Sequence, residues 1–495
     1  MRERNVIIKE YRKKLRVALV YPNLYSIGMS NLGVQLLYDL LNSREDIYCE
    51  RFFTDFNKSL ETNSLLQDFD VIAFSWQFEL DALNILKILH QNRIPIRREM
   101  RNQLVIAGGP CTVNPYPMRN FIDLFYIGDA EVNLLNLLYA WNEDKGKNNL
   151  ENLADFKGIY VSEKDNSVDR AYFKDLDSYH PTHQIMSSAS AFGKSFLLEA
   201  SRGCSSRCRF CMGGYITKPR RERSLKRLIE ITNQGIKSCN PDKIAVLGAS
   251  ISDYSQIDNL CHHLLNKSRQ ISIPSMRADS LSSEVLKSLV SSGQRSITLA
   301  PESSQRLRCV MNKGINTSDI YDATKLAFDL GIKRIKLYFM IGLPGETKED
   351  IREIITLVRG IKGRVKLSVN PFVPKPHTPY QWVEFADQSI LREHINLLKK
   401  EFRNCVFENP KKSFLQATIA RGDESLGKIL ERALVYGFGM GAFRRAFKDE
   451  GMEYNHFTSA KNLDDPFPWD KINVGVKKNR LNREYTQAFN TLNAC

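Results

Sequence analysis

The sequence predicts an α/β protein with three successive parts, and its patterning carries that prediction. Short apolar runs alternate with amphipathic helical stretches over about residues 1–150, and the alternation resumes over about residues 191–385. Residues 151–190 have the composition of a linker, and residues 386–495 are mainly helical in pattern. Strand–helix alternation favours parallel sheets covered by helices. We therefore expect a doubly wound sheet, a partial barrel of six β/α units and a mainly helical C-terminal extension.

Composition narrows the class of protein further. The chain has 495 residues, 42% hydrophobic and 26% charged, which is typical of a globular protein of about three domains. No run of 18 or more apolar residues and no signal-peptide pattern appears, so neither a membrane span nor secretion is expected. Most of the ten cysteines are scattered, unlike a secreted disulfide framework, so we expect a cytoplasmic protein. The net charge of +15 leaves open an RNA partner, an acidic protein partner or merely a solvated basic surface.

The N-terminal part reads as a doubly wound parallel sheet. Its predicted strands are residues 14–22, 70–76, 103–110 and 124–131, and its predicted helices are residues 30–43, 79–92 and 132–141. Doubly wound sheets bind ligands at the carboxyl ends of their strands. Glycine and polar residues gather at those ends, which predicts a ligand site there.

The central part reads as six parallel β/α units. The predicted strands are residues 194–201, 243–249, 271–279, 296–302, 334–342 and 365–372, with helices such as 224–236 and 317–331 between them. Six units make three-quarters of an eightfold barrel, and such barrels carry function at the carboxyl ends of the strands.

A cysteine triplet follows the first of these strands. Cys204, Cys208 and Cys211 have the spacing C-x3-C-x2-C. So short a loop can bind a four-iron cluster by three thiolates and leave one iron open to a substrate or cosubstrate. The alternatives are a zinc site or incidental cysteines. Structural zinc sites use four ligands, and no second cysteine pair lies nearby.

The triplet, with Phe210 one residue before its last cysteine, resembles the signature of the radical S-adenosylmethionine (radical SAM) superfamily. The resemblance implies a [4Fe-4S] cluster whose open iron binds SAM and whose electron cleaves it to a 5′-deoxyadenosyl radical. Matches at the ends of the barrel strands extend it. The implied SAM-binding residues are Phe210, Gly248, Ala249, Ser250, Arg277, Glu302, Ile341 and Gly342. Taken singly, each also has a structural interpretation. His377 and Tyr380 are candidates for the substrate cavity, with a structural role left open.

The strand ends of the N-terminal part resemble the cobalamin-binding fold. The implied cobalamin-binding residues are Asn23, Tyr25, Gly28, Ser75, Gln77, Gly108, Gly109, Pro110, Gly128 and Glu131. Tyr25 stands where the family has its cobalt-ligating His, and Asn23 where it has an Asp. A neutral phenol is a poor cobalt ligand. We therefore expect a weakly ligated or unligated lower cobalamin face with Tyr25 close by. The alternative is a vestigial pocket in a substrate or docking domain.

Taken whole, the chain resembles cobalamin-dependent radical SAM proteins, many of which methylate unactivated carbon. The resemblance implies SAM as both methyl donor and radical source. The implied target is a protein or peptide residue, for example in methyl-coenzyme M reductase, and a small molecule is left open as the alternative target. The resemblance also implies an external electron donor such as ferredoxin or flavodoxin. Two alternatives stay open. One is another radical SAM reaction, such as rearrangement, cyclisation or RNA modification, with an N-terminal domain that binds no cobalamin. The other is a non-catalytic cluster protein that carries electrons or binds RNA.

Overall fold

The structure is a computed structural model that describes residues 2–10, 12–143, 147–267, 269–273 and 276–494. Its N-terminal part has these elements in chain order: β1 (Glu3–Arg4), β2 (Leu15–Tyr21), α1 (Tyr25–Gly28), α2 (Leu32–Asn42), β3 (Ile47–Phe53), β4 (Val71–Ser75), α3 (Asp81–Gln91), β5 (Leu104–Gly108), β6 (Leu124–Tyr126), α4 (Leu134–Glu143), β7 (Ile159–Val161), β8 (Val168–Asp169) and β9 (Met186–Ser187). The six-stranded sheet has the order β3-β2-β4-β5-β6-β7. All pairs are parallel except β6 with β7.

The winding of this sheet reverses between β2 and β4. Strand β2 pairs with β3 on one side and with β4 on the other, so successive crossovers leave in opposite directions from this point. Doubly wound sheets bind ligands in the crevice at such a reversal, outside the carboxyl ends of the strands. The predicted doubly wound sheet is thus confirmed, and its topology places a crevice between β2 and β4.

Strand β3 is absent from the sequence prediction. All seven of its residues are buried. Glu50 and Arg51 in its centre break the apolar pattern, yet both carry partners in the interior. Arg51 forms ion pairs with Glu61 at 2.6 Å and with Glu3 at 2.8 Å, and Glu50 accepts a 2.8 Å hydrogen bond from Thr62. Buried charges are tolerated when they are paired in this way, so β3 can be buried although it is the edge strand of the sheet.

The central part is an open barrel of parallel strands. Its elements are β10 (Ser195–Glu199), β11 (Ser201–Arg202), α5 (Gly213–Ile216), β12 (Arg221–Glu222), α6 (Leu225–Cys239), β13 (Lys243–Leu247), α7 (Ile257–Leu265), β14 (Gln270–Ser272), α8 (Ser283–Ser291), β15 (Ser296–Glu302), α9 (Gln305–Val310), α10 (Thr317–Asp329), β16 (Arg334–Ile341), α11 (Lys348–Gly360) and β17 (Val365–Pro371). They form the sheets β10-β13-β14 and β15-β16-β17-β18, the last strand being β18 (Cys405–Phe407).

All six predicted barrel strands are present, and β18 adds a seventh in the described part of the chain. Strand β14 ends earlier than predicted, and positions 274 and 275 of that predicted strand lie outside the described residues. The amide of Met276 nevertheless donates to the Thr298 carbonyl at 3.2 Å, so this segment still reaches the neighbouring sheet.

The C-terminal extension is mainly helical, as predicted. After β18 it contains α13 (Pro410–Arg421), α14 (Leu426–Val435), α15 (Met440–Asp449), β19 (Ile472–Asn473) and α16 (Lys478–Ala494), and α12 (Gln388–Glu401) precedes that strand. Leu430 and Phe443 share one apolar core with Ile85 of α3, so α14 and α15 cover a face of the N-terminal sheet. Leu492 of α16 packs with the barrel. Within the described residues, no helix combines the length and the apolar character that a membrane crossing needs.

Candidate active site

The three cysteines share one loop at the carboxyl end of β10. Cys208 is buried, whereas Cys204 and Cys211 are half-buried. The Gly214 amide donates to the Cys211 carbonyl at 3.2 Å, and Cys211 lies within electrostatic reach of both other thiols. Burial raises the pKa of Cys208 to about 11 and also raises that of Cys211, so a bound metal must displace protons.

Residues from other β/α units of the barrel hold this loop in place. Arg277 donates to the Ser206 hydroxyl at 2.8 Å, and Asn312 donates to the Arg207 carbonyl at 3.2 Å. The Arg209 guanidinium donates to the Val310 carbonyl at 2.7 Å. The loop conformation is therefore set by the tertiary structure as well as by its own sequence. In the described residues, no group of three or more His, Cys, Asp or Glu side chains converges closely enough to hold a metal ion.

A cavity of about 650 Å³, which we call the barrel cavity, opens beside the cysteine loop. The loop, the carboxyl ends of β15 to β17, the segment after β4, and α13 all contribute to its wall. The wall includes Phe78, Leu80, Phe210, Cys211, Met212, Glu302, Tyr338, Met340, Asn370, Phe372, Lys375, Glu408, Lys412 and Gln416. Residues of all three parts of the chain thus meet at one cavity.

Two predicted SAM-binding residues, Phe210 and Glu302, lie in the wall of the barrel cavity. Glu302 has a left-handed backbone with φ of 73° and accepts a 3.0 Å ion pair from Lys313. The Lys313 ammonium also lies 5.9 Å from the centre of the Phe210 ring. The sequence analysis missed Lys313, which carries no local motif and reaches this position only through the fold.

Residues 248–250 lie at the carboxyl end of β13, and β13 pairs with β10 next to the cysteine loop. A side chain at Gly248 would stand 2.7 Å from the Ser201 hydroxyl, so this glycine lets two backbones approach. The Ser250 hydroxyl donates to Asp253 at 2.6 Å, and Ala249 is exposed. Arg277 uses its guanidinium on Ser206 and on Asp279.

Ile341 and Gly342, also predicted to contact SAM, lie at the carboxyl end of β16 but outside the wall of the barrel cavity. The Ile341 side chain is fully buried in the barrel core. Gly342 lines a separate cavity of about 720 Å³, and its amide donates to Glu346 at 2.7 Å. Neither residue lines the barrel cavity, because β16 ends with its last side chain turned into the core.

His377 and Tyr380, the candidates for the substrate cavity, also lie outside the wall of the barrel cavity. Both side chains are buried. His377 donates from Nε2 to the Val113 carbonyl at 3.0 Å, and the Tyr380 hydroxyl donates to the Val310 carbonyl at 3.3 Å. Burial lowers the pKa of His377 to about 4, so this imidazole is neutral and structural.

A second cavity of about 290 Å³, the sheet cavity, lies at the carboxyl ends of β2, β4, β5 and β6. This is the crevice at the reversal of winding. Its wall includes six of the predicted cobalamin-binding residues, namely Ser75, Gln77, Gly108, Gly109, Gly128 and Glu131. The remaining four, Asn23, Tyr25, Gly28 and Pro110, are not in that wall.

The glycines of the sheet cavity differ in what they are needed for. A side chain at Gly109 would lie 2.5 Å from the Trp76 carbonyl, and one at Gly128 would collide with the Ala171 carbonyl. These glycines serve the protein's own packing. A side chain at Gly108 would meet nothing closer than Tyr126 at 3.8 Å. The bare backbone at Gly108 therefore leaves space that the protein itself does not fill, as a ligand cradle would.

Tyr25 does not face the sheet cavity, contrary to expectation. Its side chain is buried, and its hydroxyl donates to Glu3 at 2.6 Å. Asn23 donates to Asp81 at 2.8 Å, and Gly28 packs on the Phe53 ring. Tyr25 thus joins α1 to β1, Asn23 joins the end of β2 to α3, and none of the three residues lines the sheet cavity.

An ion-pair network joins the sheet cavity to the cysteine loop. Arg202, two residues before Cys204, pairs with Asp129 at 3.1 Å, Glu131 at 2.8 Å and Glu199 at 2.8 Å. Asp129 and Glu131 follow β6 of the N-terminal sheet, whereas Glu199 ends β10. The sequence analysis missed Arg202, although its place directly before the triplet was a usable signal.

Comparisons with known proteins agree with this architecture. Residues 33–162 match the family model of radical SAM proteins, N-terminal, and residues 198–358 match that of the radical SAM superfamily. An uncharacterized protein of Methanocaldococcus jannaschii is 37% identical over 426 residues, which cover 84% of this chain and 90% of that protein.

Two solved structures share the fold. The radical SAM methyltransferase TsrM from Kitasatospora setae, solved with cobalamin and a [4Fe-4S] cluster, matches with a TM-score of 0.55 and 13% identity over 74% of each chain. The cobalamin-dependent SAM radical enzyme OxsB, solved with aqua-cobalamin and SAM, matches with a TM-score of 0.54 and 14% identity over 97% of this chain and 80% of that one. On its cysteine loop, its barrel and these matches, the chain belongs to the radical SAM superfamily.

Proposed function

We propose that the protein is a cobalamin-dependent radical SAM methyltransferase that methylates an unactivated carbon of a protein or peptide residue in a reducing, cytoplasmic setting. One observation carries the proposal. Gln77 lines the sheet cavity and the next residue, Phe78, lines the barrel cavity that also holds Cys211. A group seated in the first cavity would therefore adjoin a substrate held in the second.

The residues present fit the three groups that this function needs. Cys204, Cys208 and Cys211 would ligate a [4Fe-4S] cluster, since they are three free thiols on one short loop and each would bind a different iron of the cluster. When bound, the cluster, SAM and cobalamin would together supply radical formation and a transferable methyl group. The protein's part is to bind these groups, align them and exclude water.

Glu302 and Lys313 are the proposed polar contacts for SAM. The pair is almost fully desolvated, with exposed side-chain fractions of 13% and 10%. Its carboxylate can accept from a ribose hydroxyl or an amine. Phe210 offers an apolar face at the same wall, and the backbone of residues 248–250 would meet the methionyl part. Arg277 acts by positioning, because its donors are already engaged by the cysteine loop and Asp279.

The sheet cavity is the proposed seat of the cobalamin nucleotide tail. The open space at Gly108 admits such a tail, and the Gln77 amide, which donates to Ser75 at 2.9 Å, keeps its oxygen available. Tyr25, which stands where the family has its cobalt-ligating His, is hydrogen-bonded to Glu3 and does not line the sheet cavity. We therefore propose that cobalamin binds without a side-chain ligand from Tyr25.

The barrel cavity has the size of a small-molecule site, within the ~300–1,000 Å³ range. At about 650 Å³ it would take one residue of a protein or peptide with its neighbours. Apolar side chains such as Met340 and Phe372 line the wall together with the charges of Lys412 and Glu408. This mixed wall suits an amino acid side chain flanked by peptide groups.

The test uses protein purified anaerobically, with its cluster reconstituted and hydroxocobalamin supplied. We expect one cobalamin per chain, and we expect both S-adenosylhomocysteine and 5′-deoxyadenosine once reductant and SAM are added. Methyl-labelled SAM and cell protein should then yield a labelled residue. SAM cleavage without bound cobalamin would refute the methyltransferase and leave another radical SAM reaction, such as rearrangement, cyclisation or RNA modification. Absence of SAM cleavage would leave a non-catalytic cluster protein.

A further inference from the structure

A third cavity lies between the barrel and the C-terminal extension. This is the cavity of about 720 Å³ that Gly342 lines, and we call it the C-terminal cavity. It shares no described wall residue with the barrel cavity or the sheet cavity. The turn after β16, residues 382–388 and the C-terminal extension contribute to its wall. Its volume falls within the ~300–1,000 Å³ range of small-molecule sites.

A buried carboxylate with one unused oxygen belongs to this wall. The side chains of Glu346 and His394 are only 2% and 3% exposed. Glu346 Oε1 accepts from the Gly342 amide at 2.7 Å and pairs with His394 Nδ1 at 2.7 Å, so this oxygen braces the turn after β16. Among the described residues, Oε2 has no hydrogen-bond partner. Buried acceptors are rarely left unmade because that costs free energy, so Oε2 is available to a ligand.

The protein compensates this carboxylate only in part. Burial raises the pKa of Glu346, although His394 and the amides of Gly342 and Leu343 act in the opposite sense. One water molecule would satisfy Oε2, but a water occupies only about 30 Å³, a small part of the C-terminal cavity. A positively charged donor would satisfy the oxygen and balance its charge together.

The rest of the charged wall is also acidic. In the part of the wall that the structure describes, Glu384 and Asp387 add two exposed carboxylates, and Arg444 is the only Lys or Arg. The Arg444 guanidinium is itself exposed and lies 5.7 Å from the centre of the Tyr454 ring. The C-terminal cavity thus carries more negative than positive charge in a chain whose net charge is +15, and such a cavity attracts cations.

Aromatic rings form much of the remaining wall. The Phe414 ring stacks on the Tyr454 ring with centroids 4.7 Å apart, and the Tyr485 ring packs on the Phe489 ring at 4.5 Å. All four residues line the C-terminal cavity. Aromatic faces attract ammonium and guanidinium groups and also cover the apolar stems that carry such groups.

We propose that the C-terminal cavity binds an organic cation, whose ammonium or guanidinium group donates to Glu346 Oε2 and lies among the aromatic rings. Two sources share this chemistry, a free amine and a Lys or Arg side chain of a peptide. The inference is independent of the proposed function, because it requires neither cobalamin nor SAM cleavage.

The test is isothermal titration calorimetry of the full chain with its cluster reconstituted, at low salt, using agmatine and acetyl-Gly-Arg-Gly-amide as probes. We expect saturable one-to-one binding. Glu346→Gln keeps the shape of the side chain and removes its charge, so it should weaken binding about 10- to 100-fold. Glu393→Gln is the matched control, because Glu393 precedes His394 on α12 but pairs with Lys348 outside the wall. Its affinity should stay within about twofold of wild type.

A second variant covers the case in which Glu346→Gln does not fold. Glu384→Gln/Asp387→Asn changes two exposed residues, and asparagine can still accept from the Ser389 amide as Asp387 does. This variant should bind the probes about two- to fivefold more weakly, and added salt should reduce the difference.

Several results would overturn the proposal. These are no saturable binding of either probe, an unchanged affinity in the variants of the wall, and equal binding of butylurea, a neutral isostere of the guanidinium end of agmatine. Loss of binding in Glu302→Gln instead would place the cation in the barrel cavity and would also overturn it. Tighter binding of agmatine than of the peptide would assign the site to a free amine, and the reverse order to a peptide side chain.

Discussion

Replacement of Gly108 by alanine should weaken cobalamin binding while it stabilises the fold. The residue ends β5 with an extended backbone, paired with Ser75 and Tyr126. A side chain there would meet its nearest neighbour at 3.8 Å, an ordinary contact distance. The substitution Gly108→Ala should therefore raise the free energy of unfolding by about 0.5 kcal/mol, because alanine loses less backbone entropy on folding.

The same methyl group intrudes on the space proposed for cobalamin. Overpacking a close-fitted contact by one methyl costs about 1–3 kcal/mol, which corresponds to a roughly 5- to 150-fold weaker affinity. Gly108→Val should weaken it further at similar stability. Gains in stability and losses in affinity thus go together.

The assay combines urea unfolding with absorbance titration of the reconstituted protein by hydroxocobalamin. Gly109→Ala is the control, because its φ of 116° and its approach to the Trp76 carbonyl make any side chain strained. That variant should lose about 1–3 kcal/mol of stability. The reasoning fails if Gly108→Ala binds cobalamin as wild type does, or if it unfolds as readily as Gly109→Ala.

Three further outcomes are expected. Tyr25→Phe should leave the spectrum of bound cobalamin unchanged and lower the free energy of unfolding by about 1 kcal/mol, because only the hydrogen bond to Glu3 is lost; a shifted cobalamin spectrum would contradict this. Arg51→Met should lower the free energy of unfolding by about 3–5 kcal/mol in chemical denaturation, because it leaves the buried carboxylates of Glu3 and Glu61 without their cation. A loss below 1 kcal/mol would contradict this expectation. His180 accepts from the Glu199 amide, and burial lowers its pKa to about 3. Because the unfolded imidazole takes up a proton near pH 6.5 and the folded one does not, its contribution is intact above that pH. Stability should then fall by about 1.4 kcal/mol per unit as pH drops from 6 toward 4. His180→Asn should flatten that slope, and equal slopes in both proteins would refute the assignment.

The sequence by itself determined the features whose signal is local. The cysteine triplet lies within one loop, so its spacing alone predicts that three thiolates can bind one cluster. Strand–helix alternation is likewise a pattern of neighbouring residues, and it predicted six barrel strands and a doubly wound sheet, both of which the structure contains. The position of Gly108 followed from the same local pattern, because a strand's end places its last residue at the edge of the sheet.

Only the tertiary structure decided the features that depend on distant partners. Strand β3 looks too charged to be buried until Arg51 meets Glu3 and Glu61. The sequence predicted that Tyr25 lies close to the lower face of cobalamin, but its hydroxyl donates a hydrogen bond to Glu3, 22 positions away. Lys313 follows α9 in the chain and reaches the Glu302 carboxylate only through the fold. The direction of such a side chain depends on ion pairs and hydrogen bonds with residues far away in the chain, and on which surface each helix covers. A window of neighbouring residues contains neither kind of information.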